Sequence, residues 1–174
     1  MRAHALAALD YPRERFEVIV VNDGDPAPAG QTAEAFRDCL HVTVLTQAHA
    51  GPAAARNLGA AHAQGRYLAF LDDDCIPEAG WLAAFATRLS ATPFHLVGGQ
   101  TLNALPDNPY ATATHLLVGF LAQSHRCVSP HRLFLPSNNL ALPTSRRRSR
   151  ITRTRSLSAH LCVSISTTGA ARSK

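Results

Sequence analysis

The chain has 174 residues, 46% of them hydrophobic and 17% charged, with a formal net charge of +5. That length suits one domain with a true core, and the composition excludes a disordered chain. No apolar run reaches the roughly 18 residues that cross a bilayer. The opening Met1-Arg2-Ala3-His4-Ala5-Leu6 lacks the apolar stretch of a signal peptide, so the expected location is the cytoplasm.

The charge is unevenly placed. Residues 145–174 hold eight of the 17 bases and no acid, which leaves nine bases against 12 acids, a net −3, over residues 1–144. The basicity therefore belongs to the tail and says nothing about the body. Clustered arginines can neutralise nucleic-acid phosphates. Here neither aromatic interleaving nor a recognition helix accompanies them, and no nucleic-acid partner is expected. Cys39, Cys75, Cys127 and Cys162 form no CxxC pair, and the nine histidines form no HxH or HxxxH pair. Neither a zinc site nor a disulfide framework is expected from them.

Along the chain, Ala5–Leu9 is helix-friendly and stops at Asp10-Tyr11-Pro12. Phe16–Val21 is β-branched and nearly all apolar, as a strand covered on both faces should be, and runs into the turn formers Asn22-Asp23-Gly24-Asp25-Pro26. Thr32–Leu40 has Ala33, Phe36 and Leu40 at helical spacing, and Val42–Leu45 reads as a short strand. After Gly51-Pro52, an alanine-rich helix over Ala53–Ala63 closes at Gly65. Tyr67–Leu71 is a third strand, ending at Asp72-Asp73-Asp74. The spacing of Trp81, Leu82, Phe85 and Leu89 predicts a helix over Pro77–Leu89, followed by a strand at His95–Gly99. Thr112–Ala122 suits a helix, and Phe134–Ala141 a loop leading into a strand. From Ser145 onward, serine, threonine and arginine predict a disordered tail.

Strands alternating with helices argue for an α/β layered fold with a mainly parallel sheet. Such sheets bind ligands at the carboxyl ends of their strands, where Asp23 and the acidic triplet fall. Two aspartates two positions apart after an apolar strand suit a hard cation such as Mg2+ or Mn2+. On extended backbone Asp72 and Asp74 project one way and Asp73 the other. The plainer alternative is a solvated acidic turn ahead of the Pro77 helix. Asp23 is likewise a turn former or an acceptor for a base or sugar, and Arg56 an exposed helix residue or a phosphate ligand.

The ordered set is more specific than its members. EVIVVNDGD, then AGPAAARNLGAAHAQGRYLAFLDDDCIP, then GWL resembles family 2 glycosyltransferases of the GT-A fold, a Rossmann-like α/β sandwich, over about residues 5–144. The resemblance implies inverting glycosyl transfer from a nucleotide-diphospho-sugar to an acceptor hydroxyl, with Mn2+ or Mg2+ as cofactor and a saccharide or lipid-linked glycan as possible acceptor. Residue by residue, it makes Asp23 the base contact, Arg56 a nucleotide-side residue, Asp72 the ribose-facing aspartate and Asp74 the metal ligand. Asn22 stands where the family usually has another aspartate.

The resemblance also implies departures. Members supply a general base, usually an aspartate, after a segment like Ser137-Asn138-Asn139-Leu140-Ala141, yet no Asp or Glu follows Asp107. They open with a further strand before the region corresponding to Ala5, and continue beyond Leu142-Pro143-Thr144-Ser145-Arg146 into a glycine-rich segment rather than arginines. The expectation is a partial GT-A domain over 1–144, lacking its first strand, with 145–174 a possible frameshift product. Such a chain would have exposed sheet edges and impaired catalysis. Alternatives are a non-catalytic nucleotide-binding remnant and a nucleotidyltransferase, the latter wanting a glycine-rich basic phosphate loop near the first strand.

Overall fold

The computed structural model describes residues 3–25, 39–128, 138–144 and 160–165. The expected helix over Thr32–Leu40, except its last two residues, and Phe134–Ser137 lie outside them. In chain order the elements are α1 (Ala3–Ala7), β1 (Phe16–Asp23), β2 (Val42–Gln47), α2 (Pro52–His62), β3 (Tyr67–Asp72) and α3 (Trp81–Ala91). They are followed by β4 (Val97–Gly98), α4 (Pro109–Val128), β5 (Asn139–Pro143) and β6 (His160–Ile165).

The apolar runs become strands because both of their faces are covered. Every residue of β1 is buried, and β3 is buried from Tyr67 to Leu71. On one face Val18, Val20, Tyr67 and Leu71 pack with Leu82, Phe85 and Leu89 of α3. On the other, Ile19, Val21, Leu68 and Phe70 pack with Ala55 beneath α2. The alternation of successive strand residues between two apolar layers is the pleat expressed as packing.

The strands form one sheet in the order β2-β1-β6-β3-β5-β4. The registers give β1, β2, β3 and β4 one direction and β5 and β6 the other. The expected mainly parallel sheet therefore holds for strand direction but not for neighbours. Among the described residues only β1 and β2 pair in parallel, because β6 and β5 run antiparallel beside β3.

The expectation of a disordered tail is corrected over six residues. His160–Ile165 forms β6, paired antiparallel with β1 from Phe16↔Ile165 to Val21↔His160 and with β3 from Tyr67↔Ile165 to Asp72↔His160. The facing edges of β1 and β3 are thus paired with β6 and not left open. Cys162, Val163 and Ile165 are all at most 1% exposed. The apolar stretch Leu161-Cys162-Val163 with Ile165 is able to form a strand, and pairing with β1 and β3 makes it one inside a segment whose average composition is polar.

Two further boundaries differ from expectation. α3 begins at Trp81 and not at Pro77, since Gly80 takes the N-cap position and Trp81 N–H closes a turn onto Glu78 O at 3.0 Å. α4 begins at Pro109, where Asn108 Oδ1 accepts from the N–H groups of Tyr110 at 3.0 Å and Ala111 at 3.2 Å. That is an asparagine N-cap followed by proline in the first turn.

Candidate nucleotide site at the strand ends

β1, β2 and β3 run in one direction, so Asp23, Gln47 and Asp72 end at the same edge of the sheet. Asp23 is 7% exposed and its carboxylate is filled by the protein. Oδ1 accepts from Gln47 Nε2 at 2.7 Å and Ala50 N–H at 2.8 Å. Oδ2 accepts from Gly51 N–H at 2.8 Å and lies 3.2 Å from His49 Nδ1. Gly51 is the N-cap of α2 and supplies no side-chain cap, so Asp23 serves that helix start from a distance. Burial pushes the Asp23 carboxyl up. The hydrogen bonds from Gln47, Ala50 and Gly51, with the nearby His49, outweigh that and hold it below the usual carboxylate value.

The turn after Asp23 depends on Gly24, whose φ of +86° suits only glycine and whose missing Cβ would sit 2.9 Å from His49 N. Asn22, read as a mild departure, closes this turn by donating to Asp25 O and accepting from Asp25 N–H, both at 2.8 Å. α2 is in turn seated on β6 at Gly59, where an added Cβ would lie 2.9 Å from Cys162 Cβ.

This seating carries Arg56 into the interior. Its side chain is 3% exposed and donates from Nη2 to Asp72 Oδ1 at 2.6 Å. The plainer reading of an exposed helix arginine is excluded. Nε and Nη1 are buried and have no partner among the described residues. Asp72 is 24% exposed, so the pair sits at the boundary between core and solvent.

Beyond Asp72 the chain turns, with Cys75 N–H donating to Asp72 O at 3.1 Å. Asp74 is exposed and lies against Cys75 Sγ at 3.5 Å. Burial pushes the Cys75 thiol up to about 11, helped by the negative charge of Asp74 and its hydrogen bond, and by Asp72. Asn138 Nδ2 approaches the same sulfur at 3.7 Å, while its Oδ1 is buried without a partner among the described residues. Asn139 accepts from Trp81 Nε1 at 2.9 Å and donates to Gln100 O at 3.0 Å.

Of the residues expected from sequence, Arg56 and Asp72 are in direct contact. Asp23 is tied to the start of the helix that bears Arg56. Asp74 lies two residues beyond Asp72, at the surface. Gln47 and His49 were not singled out by sequence, and Asn139 was named only within the segment Ser137–Ala141, with no role of its own. Only the closeness of β1 to β2, and of β3 to β5, gives them their roles. Among the described residues no three His, Cys, Asp or Glu side chains gather to hold a metal unaided.

The sequence matches the profile of glycosyl transferase family 2 over residues 3–157. It is 34% identical over 107 residues to glycosyltransferase AglE of Haloferax volcanii, a match covering 60% of this chain and 35% of that protein. It is 35% identical over 118 residues to the pre-mycofactocin glycosyltransferase of Mycobacterium tuberculosis, covering 66% of this chain and 25% of that one. The chain thus spans about a third of the first relative and a quarter of the second. In three dimensions it superposes on residues 1–349 of Staphylococcus aureus TarS with a TM-score of 0.50 and 26% identity, over 57% of this chain and 32% of that one. The strand-end arrangement and the profile match agree: this chain belongs to glycosyl transferase family 2 and has its GT-A fold.

Proposed function

We propose that the chain binds a nucleotide-diphospho-sugar at the ends of β1 and β3, as the donor site of a glycosyltransferase. The observation that carries this reading is the buried Arg56 guanidinium, with one donor on Asp72 and with Nε and Nη1 unmet. Leaving a buried donor unsatisfied costs roughly 1–3 kcal/mol. A planar guanidinium with free donors matches phosphate or base-edge oxygens. Asp72, with its carboxylate anchored on Arg56 and partly exposed, would accept from a ribose hydroxyl in this reading.

The donor set at the triplet fits Mg2+ or Mn2+. Such ions prefer oxygen and typically use one or two carboxylates together with substrate phosphates, so a site with few protein ligands is adequate. Asp74, exposed just beyond Asp72, would hold the ion, and when bound the ion neutralises the departing diphosphate. Asp23 enters this reading as a positioning residue: its carboxylate fixes the start of α2 and so the height of Arg56.

The proposal concerns donor binding first. The family's catalytic base follows a segment resembling Ser137–Ala141, and no carboxylate occurs after Asp107, so impaired transfer accompanies binding in this reading. Calorimetric titration with uridine and guanosine diphosphates, with and without Mn2+, tests it. Saturable binding strengthened by the metal is expected, and no heat with any nucleoside diphosphate would sink the idea. A radiolabelled-sugar transfer assay then separates a working enzyme from a binding remnant.

A further inference from the structure

The Asp23 carboxylate has no room for a nucleobase, because the protein has filled it. An ionised carboxylate has about four lone-pair sites. Four donors face this one: Gln47 Nε2, the N–H groups of Ala50 and Gly51, and His49 Nδ1. The Asp23 side chain is 3% exposed, out of a ligand's reach. Asn22 beside it is buried and turns both ends of its amide onto Asp25. Of the side chains bonded to Asp23, Gln47 is half-buried and His49 is 58% exposed. If a base docks at the end of β1, the side chain it meets there is His49.

The ring of His49 is held by one nitrogen. Nδ1 lies 3.0 Å from Asp23 O and 3.2 Å from Asp23 Oδ2, and both oxygens only accept. In the neutral imidazole the proton therefore sits on Nδ1, and Nε2 carries the lone pair. Nε2 has no hydrogen-bond partner among the described residues. Gly24 backs this arrangement, since a Cβ there would sit 2.9 Å from His49 N and 3.0 Å from His49 Cβ. No side chain at position 24 screens the ring. His49 also precedes Gly51, the N-cap of the helix that carries Arg56, so one segment bears both groups. A fixed lone pair on an exposed ring fits an N–H donor. Uracil at N3 and guanine at N1 present a ring N–H, whereas cytosine and adenine present a lone pair at the corresponding atom. Resting on the donor-site reading above, we propose that His49 Nε2 accepts the ring N–H of uracil or guanine, and so selects uridine or guanosine donors.

The test is a cycle of two ligands and two proteins, read by calorimetry on the full chain in Mn2+. The ligands are whichever of uridine and guanosine diphosphate binds, and its N3-methyl or N1-methyl counterpart, which lacks the ring N–H. We expect methylation to weaken binding to the unaltered chain roughly tenfold, about one hydrogen bond. His49→Ala should weaken the unmethylated ligand by about as much, and methylation should then cost the variant less than about twofold. A merely structural histidine would not couple to one atom of the base. Equal affinity of the two ligands for the unaltered chain overturns the proposal, and this arm needs no variant to fold. A methyl effect of the same size in His49→Ala overturns it too. If either occurs while Arg56→Ala loses nucleotide binding, the donor site stands and only the role of His49 falls. No binding of any nucleoside diphosphate by the unaltered chain overturns both.

Discussion

The Arg56 guanidinium meets Asp72 Oδ1 at 2.6 Å through Nη2, while its Nε and Nη1 face no partner among the described residues. The pair joins α2 to the end of β3 across the sheet face that the helix covers. A buried arginine that spends one donor on a partly exposed carboxylate has the donors that the proposed anionic ligand would need. That relationship links the fold to the proposed chemistry.

Asp23 couples β1 to α2, and its loss should be felt as stability. Asp23→Asn replaces one accepting oxygen with a donor facing Gly51 N–H or Ala50 N–H. A cost of roughly 1–3 kcal/mol is expected, measured by urea denaturation. The carboxyl is held below its ordinary value in the folded state. Its contribution is therefore full above the ordinary carboxylate range near pH ~4 and is lost as pH falls through the lower folded value. The variant should lose that part of the acid sensitivity. Parallel pH dependence of the two proteins would contradict the assignment.

Cysteine reactivity tests the position of β6. Cys39 is exposed, Cys75 is half-buried and Cys162 is 1% exposed. With its thiol raised to about 11, Cys75 holds little thiolate near neutral pH and should react slowly. Mass spectrometry after a short pulse of iodoacetamide should find Cys39 modified first, Cys75 lagging and Cys162 protected until the protein unfolds. Rapid modification of Cys162 would show that β6 is not held between β1 and β3.

Gly59 gives a second view of the same contact. Gly59→Ala would place its Cβ 2.9 Å from Cys162 Cβ, beneath the helix that positions Arg56. Overpacking of this kind typically costs 1–3 kcal/mol, about the loss expected here. Combining it with Cys162→Gly removes the opposing atom and should recover part of that loss. Additive destabilisation in the double variant would mean that the two residues do not meet.

Much of the central sheet was legible because its strands announce themselves. Val18–Val21 and Leu68–Leu71 are apolar on both faces and stop at turn-forming or acidic residues, so β1 and β3 needed no tertiary information. α2 was legible from its alanines and the Gly51-Pro52 start. β6 was not, because six strand-forming residues lie within a segment rich in arginine and serine, and pairing with two distant strands decides their state. At the site, the triplet and Arg56 stood out, but their contact did not. Asp23 was expected to meet a base, yet its oxygens are taken by Gln47, Ala50 and Gly51, groups 24 to 28 residues away. Such long-range partners carry no local signal.

Asp74 is proposed as the ion's protein ligand, and Asp74→Asn tests that role without touching the core. The residue is exposed, so the melting temperature should stay nearly constant. The strengthening of nucleoside diphosphate binding by Mn2+ should fall by roughly tenfold, about one charge-assisted contact. If Mn2+ helps both proteins equally, the ion is held elsewhere.

The most direct test of the account is the affinity of Arg56→Ala for uridine or guanosine diphosphate, whichever binds the unaltered chain, measured by calorimetry in Mn2+. Removing a buried guanidinium whose Nε and Nη1 await the ligand should weaken binding by roughly tenfold to a hundredfold. Arg56→Lys, which keeps the charge but loses the planar fork, should fall between. Affinity unchanged in Arg56→Ala would contradict the account, leaving the Arg56–Asp72 pair as a brace between helix and sheet.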